Sequence, residues 1–225
     1  GGEKAAGGER RWAGGVAWMV SKSTGRGVGD GCLAGGAPTR SKLREETLSG
    51  TLEGLSAGQA DLAIGVVMEP SASAGIHSKP LGPVSFVYAV APHHPLAAAP
   101  EPLTDEMLLN HRAVAVADSV QRGNGLTIGL LAGQDVFTVA NMQAKLDAQL
   151  RGMGGGFVPQ NMACVYVETG RLVVKKTERP QRVVRVSYAW RGATSRGQGR
   201  ALQWWLKQLE SATTRAALLE RHRGV

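Results

Sequence analysis

Two short segments of the sequence place a side-chain hydroxyl at the start of a predicted helix. The first is Ser49-Gly50-Thr51, and the second runs from Thr138 to Asn141. Backbone N–H groups at a helix N-terminus, beside a hydroxyl, suit a carboxylate or a phenolic oxygen. Ordinary helix capping selects the same residue types, so capping alone also explains both segments.

The titratable side chains form no recognisable catalytic or metal-binding pattern. There is no Gly-x-Ser-x-Gly elbow, no His-Glu-x-x-His pair and no paired zinc cysteines. The dipeptide His93-His94 between prolines could bind a metal, but a solvated turn is the expected structure because further ligands at useful spacing are absent. The sequence therefore predicts no enzyme activity, no metal site and no cofactor.

Composition and charge narrow the class of protein. A chain of 225 residues with 43% hydrophobic and 20% charged residues can bury a core and is not a disordered polymer. The start lacks the basic-then-apolar order of a secretory signal, and Cys32 and Cys164 form no disulfide framework, so we expect a cytoplasmic protein. The net charge is +10 over residues 171–225 and −5 over residues 51–170, which favours a solvated basic face over a nucleic-acid stripe.

Alternating apolar runs and capped helices predict an α/β fold from about Pro38 onward. Predicted helices begin after Ser49, Thr104 and Asn141 and near Gly199. The predicted strands lie at residues 42–45, 61–67, 83–90, 113–117, 136–139, 155–158, 172–174 and 183–189. Residues 1–37 are rich in glycine, so we expect them to be irregular, with at most a short strand at 16–20.

Several segments carry a family resemblance through their order and spacing. They are residues 43–51 (LREETLSGT), 57–65 (AGQADLAIG), 90–97 (VAPHHPLA), 152–159 (GMGGGFVP) and 170–173 (GRLV). From Pro38 to about Leu209 the succession resembles the effector-binding (substrate-binding) domain of the LysR-type transcriptional regulators.

The resemblance implies two Rossmann-like subdomains, as in periplasmic binding proteins, joined by crossing strands at 84–91 and 183–189. Subdomain I would comprise residues 38–88 with 187–213, subdomain II residues 89–186, and residues 214–225 a tail. A small effector, aromatic or carboxylate, would bind between the subdomains. The implied lining residues are Gly50, Thr51, Val66, Val67, Phe137, Thr138 and Phe157. The resemblance also implies a dimer.

The sequence departs from the family pattern in two ways. No winged helix-turn-helix is recognisable, so DNA would be bound only through a reading head that this chain does not contain. The first strand and helix of the effector domain should precede Pro38, and residues 1–37 are not expected to supply them. The strand at 62–67 would then have an exposed apolar edge, which predicts weak stability and compromised effector binding.

Three other functions stay open at this stage. The chain could be a stand-alone two-lobed solute-binding protein, a truncated regulator without function, or a small α/β enzyme. An export signal would favour the first, and titratable side chains converging on a cleft would favour the last.

Overall fold

The computed structural model describes residues 10–17, 39–46, 54–66, 75–117, 129–192 and 199–220, the first two ranges by their backbone alone. The chain divides into two compact units. Unit 1 comprises Gly1–Gly82 with Val186–Leu218, and unit 2 comprises Pro83–Arg185 with Leu219–Val225. These boundaries lie up to six residues from the predicted subdomain ends at residues 88 and 213.

Unit 1 is built on a mixed sheet. Its strands β1 (Arg10–Ala17), β2 (Thr39–Glu46) and β3 (Leu62–Val66) run parallel, with β1 between the other two. Strand β9 (Val183–Arg191) pairs antiparallel with β3. All five residues of β3 are buried, as an apolar run covered on both faces should be.

Strand β1 corrects the prediction for the first 37 residues. Its Gly14, Gly15 and Val16 pair with β3 at Leu62, Ala63 and Ile64. The prediction that residues 1–37 do not supply the first strand of the domain is therefore wrong for residues 10–17, and β3 has a neighbour on each side instead of an exposed edge. The exposed edge was the reason to expect weak stability and compromised effector binding, so that reason no longer applies. Most of the short strand predicted at 16–20 lies outside the described residues.

Unit 2 contains both parallel and antiparallel strand pairs. Strand β5 (Ala113–Val116) pairs parallel with β6 (Val136–Val139), and a parallel bridge joins Ala113 to Gly155. Strand β7 (Gly156–Pro159) pairs antiparallel with β4 (Ile76–Val90), and β8 (Val173–Lys175) also pairs with β4. Both β4 and β9 run from one unit into the other, so the predicted two-unit α/β architecture with two crossing strands is confirmed.

Helices with clear sequence signals form where they are predicted. Thr104 caps α1 (Asp105–Leu109), and its Oγ1 accepts a hydrogen bond from the Met107 amide at 3.2 Å. Asn141 caps α2 (Met142–Leu150), with its Oδ1 accepting from the Ala144 amide at 2.8 Å. In unit 1, α4 (Arg200–Glu210) buries Trp205 and Leu209, whereas Trp204 is half-buried.

Two helices were not predicted from the sequence. Helix α3 (Gln160–Glu168) follows β7 directly, and its N-cap position is Pro159, which makes no side-chain capping bond. Helix α5 (Ala212–Leu219) occupies residues that were assigned mainly to a tail, and it buries Leu218 completely. Within the described residues no helix is both long and apolar enough to cross a membrane.

The central position of β1 makes a testable prediction. Gly15 pairs with Arg44 of β2 and Ala63 of β3, so proline at this position removes a ladder hydrogen bond in the middle of a sheet. We expect Gly15→Pro to lower the free energy of unfolding by about 2–4 kcal/mol, measured by urea denaturation. Unchanged stability would show that residues 10–17 lie outside the folded unit.

Candidate functional site

The predicted site residues fall into three groups in the structure. Gly50, Thr51 and Val67 lie outside the described residues, and so does Ser49. Val66 belongs to unit 1, and Phe137, Thr138 and Phe157 belong to unit 2.

Val66 is a core residue of unit 1. Its side chain is 2% exposed and packs with Leu55, Ala63 and Ala189, against which Ile76 also packs. A side chain committed to this cluster is not available to line a site, so any contribution to ligand binding would come from its backbone.

Phe137 and Thr138 lie on opposite faces of β6, because successive side chains of a strand point to opposite sides of the sheet. Phe137 pairs with Val114 of β5 and is half-buried, and Thr138 pairs with Ala115 and is exposed. The two residues were predicted to line the same site. A ligand that lies over one face of β6 would meet one of these two side chains, and the Thr138 hydroxyl is the more exposed of the two.

Phe157 lies in a buried aromatic cluster of unit 2. Its ring is 5.3 Å from the ring of Tyr88 in an edge-on arrangement, and burial raises the pKa of the Tyr88 phenol. Gly129, with φ at +78°, approaches the same ring so closely that an added Cβ would overlap it. Phe157 is 6% exposed, so most of its ring packs against neighbouring groups and little of it is open to solvent.

The order of the strands in unit 2 places a topological switch point between β5 and β7. β6 lies on one side of β5, and the chain then returns through α2 to place β7 on the other side. In open α/β sheets, ligands bind outside the carboxyl ends of the strands at such a point. The carboxyl ends of β5, β6 and β7 share one edge, and α2 begins at that edge directly after β6.

The hydrogen bonds between β5 and the β7 segment stop at Gly155. Gly155 donates to Arg112 O at 3.0 Å and accepts from the Val114 amide at 2.9 Å. Two residues further on, the carbonyl of Phe157 accepts a hydrogen bond from Lys145 Nζ at 2.7 Å. A side chain of α2 therefore takes the place of the next ladder bond at the switch point.

Lys145 is the most unusual charged residue among those that the structure describes. It is 6% exposed, and its stem lies across Gly156, where an added Cβ would come within 3.0 Å of Cε. Neither an aspartate nor a glutamate of the described residues pairs with it. Burial without a counter-charge lowers the pKa of Lys145 to about 7.

Gln149 lies one turn after Lys145 on the same buried face of α2. Its Nε2 donates to Ala89 O at 2.7 Å and to Gly156 O at 3.2 Å. Within the described residues its Oε1 has no hydrogen-bond partner, although the residue is fully buried. The apolar spacing Met142, Leu146, Leu150 predicts the buried face of this helix but passes over both polar residues. The helical spacing i, i+3, i+4, i+7 from Met142 passes through them and could have found them.

The solvated turn predicted for the histidine pair holds for His93, which is exposed, but not for His94. His94 is 7% exposed, and its Nδ1 accepts a hydrogen bond from the Leu96 amide at 3.1 Å, which caps the 3-10 helix Pro95–Ala97. The rings of His94 and His111 lie 5.3 Å apart. Burial, then the neighbouring His111 and His93, lower the pKa of His94. The described residues contain no cluster of histidine, cysteine or acidic side chains able to hold a metal ion.

Comparison with known proteins adds a family match. Residues 39–214 match the family model described as the LysR substrate binding domain. The chain is 34% identical over 171 residues to the HTH-type transcriptional regulator YeeY of Escherichia coli strain K12, covering 76% of this chain and 54% of the relative. The chain thus spans about half the length of the curated relatives it matches.

Solved structures share the fold. The regulatory domain of CrgA, a LysR-type transcriptional regulator from Neisseria meningitidis, aligns with a TM-score of 0.65 at 15% identity, covering 89% of this chain and 97% of that domain. Full-length LysG of Corynebacterium glutamicum with bound effector Arg aligns with a TM-score of 0.64 at 19% identity, covering 95% of this chain and 70% of LysG. At these identities the likeness extends to the fold alone.

The buried amine of Lys145 predicts a pH-dependent stability. Because its pKa in the folded chain lies below the ordinary value of 10.5, the unfolded chain binds more protons between pH 7 and 10.5, and wild-type stability rises with pH across this window. Lys145→Met removes the penalty, so we expect it to be more stable than wild type by about 3 kcal/mol at pH 7. The difference should shrink towards pH 10 in urea unfolding. A variant less stable than wild type at pH 7 would contradict this account.

His94 predicts a loss of stability in acid. Its pKa lies below the ordinary value of 6.5, so the unfolded chain binds the proton first as the pH falls, and stability decreases from pH 6.5 downward until the lowered pKa is passed. His94→Asn keeps a capping side chain but cannot titrate, and unfolding curves from pH 7.5 to 5 should be flatter than for wild type. The control His77→Asn, at an exposed position of unit 1, should keep the wild-type profile.

Proposed function

The chain belongs to the LysR substrate-binding domain family, and from this membership we propose that it senses a small-molecule effector for a transcriptional regulator. Effector binding would shift the population between arrangements of the regulator that present DNA differently. The chain itself would have no catalytic role.

The observation that carries this proposal is the agreement of two independent comparisons. The family model covers residues 39–214, and the same region folds into two α/β units with β4 and β9 running from one to the other, as in LysR regulatory domains. The relative YeeY is named as a transcriptional regulator, which favours a sensing role in transcription over a stand-alone solute-binding protein or an enzyme.

In unit 2 we propose that the ligand binds at the carboxyl edge of β5, β6 and β7. The exposed Thr138 hydroxyl would contact the ligand there, and the packed ring of Phe157 would form the base of the site. Gly50, Thr51 and Val67 remain proposed contributors from their positions in the sequence. The effector would be a small aromatic or carboxylate compound. Arginine, the effector bound to LysG, shows that a structural neighbour accepts a small molecule that carries a carboxylate.

Two further properties follow from the same proposal. A regulator of transcription works on DNA in the cytoplasm, and the DNA-reading element would lie outside the described part of this chain. The chain would also act as a dimer, since regulators of this class present paired reading heads to operators with two-fold symmetry.

A ligand screen tests the proposed function. We expect at least one compound from a panel of small aromatic acids, aliphatic acids, amino acids and neutral aromatics to raise the thermal transition of the whole chain. For any compound that binds, Thr138→Val should weaken binding about tenfold, since it deletes one hydroxyl at an exposed position. Thr213→Val makes the same change on exposed α5 and should leave affinity unchanged. A panel without a single stabilising compound would count against a sensing role.

A further inference from the structure

Lys145 occupies the place in unit 2 where a ligand is expected. Its ammonium donates to the carbonyl of Phe157, at the position where the ladder between β5 and β7 has ended. An ammonium group has more N–H donors than one carbonyl oxygen accepts, and in the described part of the chain no other acceptor bonds to Nζ. A buried cation that lacks a carboxylate partner is expensive to keep, so its retention at a switch point needs a reason.

Among the described residues, the groups around Lys145 offer no compensating charge. The facing residues of β5 and β7 are Val114, Gly156 and Phe157, which are apolar, and Tyr88 of β4 contacts Gly155 and Phe157 with a phenol that burial keeps protonated. The charged neighbours along the chain are Asp147 on α2 and Arg151 at its C-cap, both exposed.

Three further features of this edge are relevant to the binding of an anion. The first turn of α2 contains no acidic residue, so the positive end of the helix dipole is not neutralised by its own side chains. Ala117 and Ala140, which follow β5 and β6, are small and at least partly exposed. Gly156 leaves room for the Lys145 stem, because a Cβ there would make tight contacts of 3.0–3.1 Å with Cε and Nζ and with the Val114 carbonyl oxygen.

We propose that the switch point between β5 and β7 binds an anionic group of the carboxylate class, with Lys145 supplying the positive charge. This inference rests on the proposed sensing function and assigns the effector its charge. The ligand anion stabilises the protonated amine, which otherwise lies without a counter-charge. Binding is therefore coupled to the uptake of a proton from solvent by Lys145 Nζ whenever the amine is neutral beforehand.

The pH dependence has a definite direction. With a pKa of about 7 in the unliganded chain, Lys145 is mostly neutral at pH 8.5, and a bound carboxylate raises that pKa. Carboxylate affinity should therefore fall by up to about tenfold for each pH unit above 7. Neutral analogues should show no such dependence.

The experiment compares acids with their amides on the whole chain. The probes are benzoate with benzamide, salicylate with salicylamide, and succinate with succinamide, studied by isothermal titration calorimetry at pH 7 and 8.5. We expect at least one acid to bind about tenfold or more tightly than its amide at pH 7. At pH 8.5, measurements in two buffers of different ionisation enthalpy should show uptake of close to one proton per bound acid.

Variants of Lys145 separate charge from structure. Lys145→Met should bind the acid at least about tenfold more weakly and take up no proton, while Lys145→Arg keeps the charge at both pH values and should bind without pH dependence. Lys207→Met removes a lysine from the exposed side of α4 in unit 1 and should behave as wild type.

The outcomes distinguish this inference from the proposed function. Amides that bind as tightly as acids, or acid binding that survives Lys145→Met unchanged at both pH values, would overturn the anion proposal while leaving the sensing role intact. Binding confined to neutral compounds in the wider screen would do the same. If no compound of any charge stabilises the chain, both proposals fail together.

Discussion

Parallel pairing on both sides of β5 is the constraint on which the rest of unit 2 depends. Because β6 and β7 lie on opposite sides of β5, the chain between them must cross the sheet through α2. That crossing places α2 over the point where β5 and β7 separate, and the interrupted ladder leaves carbonyl oxygens that need donors. Lys145 and Gln149 supply those donors to Phe157 and Gly156, and Gln149 also donates to Ala89 of β4.

Much of the fold could be predicted because its signals are local. The buried run at 62–66 and the alternation through Val84, Phe86 and Tyr88 specify strands by themselves, and Thr104 and Asn141 specify helix starts through one capping bond each. Strand β1 could not be found in this way. Its glycines disfavour any isolated strand, and only pairing with β2 and β3 determines its structure.

Helix α3 and the site also could not be predicted fully from local sequence signals, for different reasons. Helix α3 has no side-chain cap and contains Val165 and Val167, β-branched residues that favour strands, so its helical state depends on the fold around it. At the site, the capping residue Asn141 correctly predicted the start of α2. Which face of the sheet each residue of β6 occupies depends instead on the pairing register with β5, which the sequence does not reveal. Lys145 was missed because a lysine in an amphipathic helix is usually assigned to the solvated side.

A buried lysine and a neighbouring glycine are best understood as one arrangement. An apolar residue at position 145 would pack beneath the strand ends without the cost of desolvating a charge, and a side chain at position 156 would fill the space over which the lysine stem lies. Lys145 satisfies the Phe157 carbonyl in the free chain, but the cost of desolvating its charge still lowers the stability of that state. In a state where the ammonium meets an opposite charge, part of the free energy spent on burying the amine is recovered in binding. A weakened free state and a selective bound state are therefore consequences of the same buried charge.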